Sequence, residues 1–89
     1  MTRETSAALN QLHHASLAAN RLDWKTKELI AVASGVTRLC EGCIVHHTNV
    51  AKIAGATLQE LHETLDFCTM MNGGPATIYG KKAIDAYGA

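Results

Sequence analysis

The sequence contains little proline, few aromatic residues and no excess of charge of either sign. Proline occurs once, and Phe, Trp and Tyr together make up 4% of the 89 residues. This composition, with only three cysteines, is unlike a disordered segment or a disulfide-stabilised scaffold. Eight basic and eight acidic side chains cancel, and no basic run or aromatic-basic stripe is present. Attraction to nucleic acid therefore has no visible source, and we expect no nucleic-acid partner.

Long hydrophobic runs are also missing. The longest apolar stretches fall well short of the roughly 18 to 20 residues that span a bilayer, and the N-terminal Met1-Thr2-Arg3-Glu4 lacks the apolar core of a signal peptide. We therefore expect no membrane association and a cytoplasmic location. In such a reducing compartment, a close pair of cysteines is more often catalytic or metal-binding than a permanent crosslink.

Apolar residues, which make up 47% of the chain, recur at helical spacing between Gly, Pro and capping residues. The pattern predicts an all-α fold, a small bundle of about five helices in a single domain over residues 1–89. The predicted helices run from about Thr5 to Ala19, from an N-cap at Asp23, from near Cys40 to Gly55, from a capping box at Thr57 to Asn72, and from Pro75 to about Tyr87.

The first predicted helix carries an Ala- and Leu-rich stripe that includes Ala8, Leu12 and Ala15. The last is expected to direct Ile78, Tyr79, Ala83, Ile84 and Tyr87 inward. A chain this short buries only a modest fraction of its surface when it folds alone. We therefore expect a homo-oligomer whose subunits cover each other's apolar faces.

Two cysteines separated by two residues, with a histidine four places after the second, form the chemical centre of the sequence. On a helix, Cys40, Cys43 and His47 would follow one another at single-turn intervals and share one side. A helical wheel places His47 within an apolar arc beside Cys43, whereas His46 lies on the other flank. We therefore expect His47, rather than His46, to act on the thiol.

Glu28 lies in line with Val32, Gly35 and Leu39, a mostly apolar row at helical spacing. A carboxylate there is costly to bury without a partner. One interpretation is an exposed ion pair with Lys25 on the same helix. The other is that Glu28 reaches across a helix-helix contact and holds the imidazole of His47.

Only a thiolate attacks a peroxide or a disulfide, and it forms near neutral pH beside a helix N-terminus or a proton acceptor. The helix N-terminus favours Cys40 as the more acidic thiol, whereas the imidazole favours Cys43. The spacing alone leaves the two roles open. Helical β-carbons one turn apart are about 5 to 6 Å from each other, which predicts a strained and reversible disulfide.

Glu28, eleven intervening residues, Cys40-Glu41-Gly42-Cys43, three intervening residues and His47 resemble the signature of the alkylhydroperoxidase D and carboxymuconolactone decarboxylase family. The resemblance covers about residues 22 to 72. It implies an all-helical domain that forms dimers, trimers or hexamers, with thiol peroxidase or disulfide reductase activity. It also implies that Cys43 attacks the peroxide, that Cys40 resolves the intermediate, and that His47 and Glu28 relay protons.

The same resemblance implies a hydroperoxide or disulfide substrate and a dithiol electron donor, such as a lipoyl carrier or a thioredoxin-like protein. No cofactor or metal is implied. Peroxidase members of the similar subgroup often carry a histidine immediately before the second cysteine, where this chain has Gly42. This departure predicts a weaker proton relay, slower peroxide turnover or a different thiol substrate. The decarboxylase branch works without the cysteine pair, so Cys40 and Cys43 argue against decarboxylation.

Two alternatives come from other functional classes. In the first, Cys40, Cys43 and His46 or His47 bind zinc, with His13, His14 or His62 completing the four ligands that a structural site needs. In the second, the chain keeps the family's helical frame without turnover. Under every interpretation, we expect Cys68 to be a buried, small apolar side chain rather than a third redox thiol.

Overall fold

The computed structural model describes residues 1–88, in which five helices follow one another without a β-strand. They are α1 (Arg3–Leu17), α2 (Trp24–Thr37), α3 (Glu41–Ile53), α4 (Leu58–Asn72) and α5 (Gly74–Tyr87). The predicted all-α bundle of five helices is therefore confirmed.

Local capping interactions begin the helices close to where the sequence predicts. The Asp23 carboxylate accepts a hydrogen bond of 2.7 Å from the Thr26 backbone N–H at the start of α2. At α4, Thr57 and Glu60 accept hydrogen bonds from each other's backbone N–H groups, which confirms the capping box. Helix α1 differs from its prediction because Thr2 caps it, so it begins at Arg3 and ends at Leu17.

Helix α2 is the centre of the bundle and contacts each of the other four helices. The core is formed by buried side chains from α2 to α5, namely Val32, Val36, Ile44, Leu61, Leu65, Cys68, Ala76 and Ala83. Small residues let α5 approach α4 closely. A β-carbon added at the buried Gly80 would lie 3.5 Å from Leu65, an ordinary van der Waals contact.

Helix α1 has no buried residue. Among the helices of residues 1–88, only α2 is in close backbone contact with it. Its apolar stripe remains accessible, with Leu12 62% exposed. The inward placement of Ile78 on α5 is wrong, since this side chain is 66% exposed. Ala76 and Gly80 face the core, and Ile78, two residues from each, is rotated by about 200° to the opposite side.

No helix among residues 1–88 combines the length and the apolar character needed to cross a membrane.

Candidate active site

The turn that joins α2 to α3 places Cys40 next to the end of α2. The N–H of Cys40 donates to the carbonyl of Gly35 over 2.9 Å, and the N–H of Leu39 donates to the carbonyl of Val36 over 3.1 Å. This pair of hydrogen bonds is the Schellman motif, whose left-handed position is usually occupied by glycine. Here Leu39 occupies it with φ of 55°. The backbone before Cys40 is therefore fixed by hydrogen bonds to the last turn of α2.

Cys40 is the N-cap of α3 and is joined by a disulfide to Cys43 in the first turn, with 5.3 Å between the α-carbons. Its sulfur also accepts a hydrogen bond of 3.3 Å from the Cys43 backbone N–H. The prediction placed both cysteines on one helix. The structure instead gives Cys40 an extended backbone with φ of −101° and ψ of 94°. Cys40 therefore lies outside the regular helix, and the β-carbons of this disulfide do not have the helical relation that the sequence predicts.

Glu28 and His47, 19 residues apart, meet where α2 packs against α3. The Nδ1 of His47 lies 2.7 Å from Oε1 of Glu28, and Nε1–H of Trp24 donates to Oε2 over 3.2 Å. Because a carboxylate only accepts hydrogen bonds, the proton in the first contact lies on Nδ1. Nε2 is the ring nitrogen that this contact leaves unused. Both carboxylate oxygens have a donor, which makes the burial of Glu28 at 1% exposure tolerable.

The alternative interpretation of Glu28, an exposed ion pair with Lys25, is wrong. The ammonium of Lys25 lies 2.8 Å from the carboxylate of Glu60 on α4. This hydrogen bond raises the pKa of Lys25 and lowers that of Glu60. Glu28 and Lys25 therefore serve separate contacts, one between α2 and α3 and the other between α2 and α4.

Gly35 permits the close approach of α2 and α3 beside the disulfide. A β-carbon at this position would lie 3.2 Å from Cβ of Cys43 and 3.2 Å from Cγ1 of Ile44. These distances are tighter than ordinary van der Waals contact. A larger residue would therefore push apart the two helices that carry Glu28 and His47.

The histidines have different environments, as the helical wheel predicts. The His47 side chain is 14% exposed, whereas His46 is exposed and meets the His47 ring edge-on, with 4.8 Å between the ring centroids. His13 of α1 stacks over the other side, 6.5 Å from the His47 centroid. Nδ1 of His13 lies 3.0 Å from the Leu9 carbonyl. His47 is thus the imidazole held by a carboxylate, while His13 and His46 flank it.

An open cleft of about 430 Å³ lies between α1, α2 and α3, and we refer to it as the Cys43 cleft. Helix α1 contributes Leu9, Leu12 and Leu17, α3 contributes Cys43 and His47, and Arg38 joins them from the C-cap of α2. Cys43 is exposed, whereas Cys40 is half-buried and is not among the residues that line the cleft. A ligand in the cleft would therefore contact Cys43 and the His47 imidazole and not Cys40.

The third cysteine lies away from this site. Cys68 is buried on α4 at 4% exposure, as expected for a small apolar side chain, and burial raises the pKa of its thiol. Among residues 1–88, no three His, Cys, Asp or Glu side chains are grouped so that they could hold a metal ion. The zinc hypothesis needs the sulfur atoms of Cys40 and Cys43 as ligands. In the oxidised form these two sulfurs are bonded to each other.

The model of the carboxymuconolactone decarboxylase family matches residues 3–86, nearly the whole chain. The chain belongs to this family. The resemblance drawn from the Glu, Cys, Cys and His spacing is therefore confirmed. The chain is also 41% identical over 63 residues to an uncharacterised protein of Cupriavidus necator, and this match covers 71% of the chain. It spans 56% of the length of that relative.

Two solved structures of family members have the same fold. One, the apo form of a family protein from Legionella pneumophila, has a TM-score of 0.91 and 39% identity, covering 94% of this chain and 75% of that one. The other, from Thermotoga maritima, has a TM-score of 0.88 and 24% identity, covering 98% and 90% of the two chains. A part in antioxidative response has been suggested for the Thermotoga protein.

Sequence reasoning missed Trp24 and Arg38 near the site, and it considered His13 only as a possible zinc ligand. Trp24 lies one turn before Glu28 on α2, and this i to i+4 spacing on one helix could have indicated the contact. Arg38 lies two residues before Cys40, where its charge could have been noted. The position of His13 over His47 depends on how α1 lies against the bundle, and no local signal in the sequence gives it.

Proposed function

We propose that this protein reduces hydroperoxides with the Cys40 and Cys43 thiols and cycles through their disulfide. The observation that carries the proposal is a cysteine pair beside an imidazole held by a buried carboxylate, with Cys43 and His47 on one open cleft. Membership of a family in which this spacing accompanies thiol peroxidase activity supports the same proposal.

In the proposed first step, the Cys43 thiolate attacks the distal oxygen of the hydroperoxide. A sulfur–oxygen bond forms while the oxygen–oxygen bond breaks, which gives a sulfenic acid on Cys43 and an alcohol. His47 first accepts the Cys43 proton at Nε2 and then returns it to the leaving alkoxide, while Glu28 fixes the ring through Nδ1. In this scheme, the sulfur that attacks the peroxide and the imidazole that transfers the proton both lie on the cleft side of α3.

In the second step, Cys40 attacks the sulfenic sulfur, the sulfur–oxygen bond breaks as the disulfide forms, and the hydroxyl leaves as water with the proton of the Cys40 thiol. An external dithiol then reduces the disulfide by thiol exchange and is itself oxidised, which returns both thiols. A lipoyl carrier or a thioredoxin-like protein has the required dithiol. The assignment of Cys43 as the attacking thiol is supported by its exposure in the cleft, whereas Cys40 is half-buried.

The first test is a thiol count before and after one equivalent of cumene hydroperoxide is added to the fully reduced protein. We expect the loss of two thiols per chain, and peptide mapping should show a Cys40–Cys43 crosslink with Cys68 free. In Cys40→Ser, the reaction should stop at a Cys43 sulfenic acid that a 1,3-dione traps. Retention of all three thiols would contradict peroxide reduction, and retention combined with tight zinc binding would favour the metal hypothesis.

The second test assigns the proton relay. His47→Gln and Glu28→Gln should each slow hydroperoxide reduction by roughly 10- to 10⁴-fold, the range for a lost acid-base group. His46→Gln is the matched control, because the neighbouring ring makes no contact with the buried carboxylate, and its rate should change little. Circular dichroism checks that the helices persist. Equal losses of rate in His46→Gln and His47→Gln would show that the reactivity of the Cys43 thiol depends on this face of α3 in general. The Glu28–His47 pair would then have no special part in it.

A further inference from the structure

We infer that the Cys43 cleft binds amphipathic carboxylates, with Arg38 holding the carboxylate, so that the substrates are organic hydroperoxides of the fatty-acid type. The substrate part of this inference rests on the proposed peroxidase function. The binding part rests on the shape, wall and charge of the cleft alone.

The wall of the cleft suits a hydrocarbon chain. Leu9, Leu12 and Leu17 line it from α1, although a helix on the surface of a small domain normally turns such side chains to the core. The volume of about 430 Å³ falls within the range of roughly 300 to 1,000 Å³ typical of small-molecule sites. Hydrogen peroxide would fill little of this space, and it has no hydrocarbon part that the leucines could contact.

Arg38 gives the cleft a single permanent charge. No acidic side chain of the described residues lines the cleft, and Glu28 lies buried behind His47. The ion pairs of lysines with carboxylates among residues 1–88 use Lys25, Lys81 and Lys82, His47 holds the buried Glu28, and none of these contacts uses Arg38. A guanidinium presents two parallel N–H groups that match the two oxygens of a carboxylate. An amphipathic anion is therefore the ligand whose chemistry this lining matches.

Arg38 can also act without binding a carboxylate, and the test must distinguish this role from carboxylate recognition. It is the C-cap of α2, where a positive charge is favoured by the helix dipole, and it can stabilise the Cys43 thiolate from a distance. Either effect would act equally on every hydroperoxide. Recognition of a carboxylate would instead alter the ratio between an acid and its ester, because the reacting peroxide group is the same in both.

The experiment compares linoleic acid hydroperoxide with its methyl ester, below the micellar concentration, for oxidation of the reduced protein. The acid should react at least about 10-fold faster, as expected for one charge-assisted hydrogen-bonded pair. Arg38→Gln should remove this preference, and its rate with the ester should fall no more than its rate with hydrogen peroxide. Arg21→Gln, which removes an exposed arginine before α2, is the matched control and should keep the preference.

A binding measurement separates the two proposals. Octanoate should bind the oxidised protein and shift the amide signals of Leu12 and Arg38 in NMR spectra, whereas octylammonium should not. Equal rates for acid and ester would overturn the substrate inference and leave peroxide reduction standing. Failure of every hydroperoxide to oxidise the thiols would overturn the proposed function. Absence of octanoate binding, or binding that persists in Arg38→Gln, would overturn the assignment of the cleft itself.

Discussion

Gly42, between the two cysteines, stands where peroxidases with a similar motif often carry a histidine. It lies in the first turn of α3, and a β-carbon added there would have no atom within 4 Å. A β-carbon at this position therefore fits without moving the neighbouring helices. The glycine is not required by the packing, so its effect on the proposed proton relay can be measured directly.

We predict that Gly42→His accelerates hydroperoxide reduction by about 10-fold, because it adds a second acid-base group beside Cys43. Gly42→Ala is the matched control, since it changes helix propensity without adding an imidazole. It should stabilise the protein by about 0.5 to 1 kcal/mol and leave the rate unchanged. Stopped-flow kinetics and urea unfolding give the two quantities. If the alanine variant accelerates the reaction as much as the histidine variant, the gain comes from helix order and not from proton transfer.

The site residues differ in how far the sequence alone reveals them. Cys40, Cys43 and His47 are local, because spacings of three and four residues place each of them about one turn from the next. Glu28 is not local, since its side chain could equally have paired with Lys25 until the packing of α2 on α3 decided the matter. The family resemblance favoured His47 over Lys25, because it implies that Glu28 and His47 relay protons together. Arg38 was missed, and His13 was considered only as a zinc ligand, because the lining of a cleft depends on three helices at once.

Among the helices, the crossing of α2 and α3 governs the geometry of the site, and Gly35 sets the distance between them. We predict that Gly35→Ala destabilises the protein by about 1 to 2 kcal/mol. The added methyl group must displace Cys43 and Ile44, which outweighs the gain in helix propensity. The displacement should also slow thiol alkylation of the reduced protein. Urea unfolding and iodoacetamide kinetics measure the two effects.

Gly80→Ala is the matched control for this prediction. Gly80 is also buried within a helix, but its added β-carbon would lie 3.5 Å from Leu65, at ordinary contact distance. We expect stability unchanged or raised by up to about 1 kcal/mol, and unchanged alkylation. Similar losses for the two variants would mean that any buried glycine is sensitive and that the α2–α3 crossing has no special importance.

Helix boundaries were predictable where short-range chemistry sets them. The Thr57–Glu60 capping box and the glycine with φ of 101° after α3, Gly55, both lie where the sequence placed them. The burial of whole faces was less predictable, because an apolar stripe identifies a face without identifying its partner. Helix α1 has such a stripe and buries no residue within the chain.

For the molecule as a whole, the disulfide closes a very short loop, with a sequence separation of three residues. A loop of this length contributes only about 2 kcal/mol in the chain-entropy model, against about 5 to 15 kcal/mol for the stability of a typical domain. We predict that the reduced protein stays folded, with unchanged helical circular dichroism and a Tm lower by about 10 °C. Loss of the helices on reduction would assign the bond a structural role instead.

Self-association remains a prediction, and the surface of the bundle shows where to test it. Phe67, Met70 and Met71 on α4 and Ile78 on α5 are each about two-thirds exposed. Phe67 and Met71 also border a groove between α2 and α4 with Ile30. Apolar exposure on this scale is typical of a surface that meets a partner. A second copy of the chain is the expected partner, because a domain of this size gains stability from an apolar interface.

We predict at least a dimer at micromolar concentration by light scattering, and dissociation or weakened association in Phe67→Glu. Gln59→Glu adds the same charge to the same helix at an exposed polar position, so it should leave the mass unchanged. A monomeric wild-type protein would contradict the prediction outright. An oligomer that survives Phe67→Glu would move the interface away from this part of α4.

The indole that holds Glu28 has an optical consequence. Trp24 is the only tryptophan in the chain, and its N–H points at the carboxylate that supports His47. Its emission therefore comes entirely from one ring beside the site, free of background from other indoles. A change of charge or hydrogen bonding at Glu28 should alter the intensity and wavelength of that light. The protein thus carries its own fluorophore beside the Glu28–His47 pair, which reports on this pair without an added label.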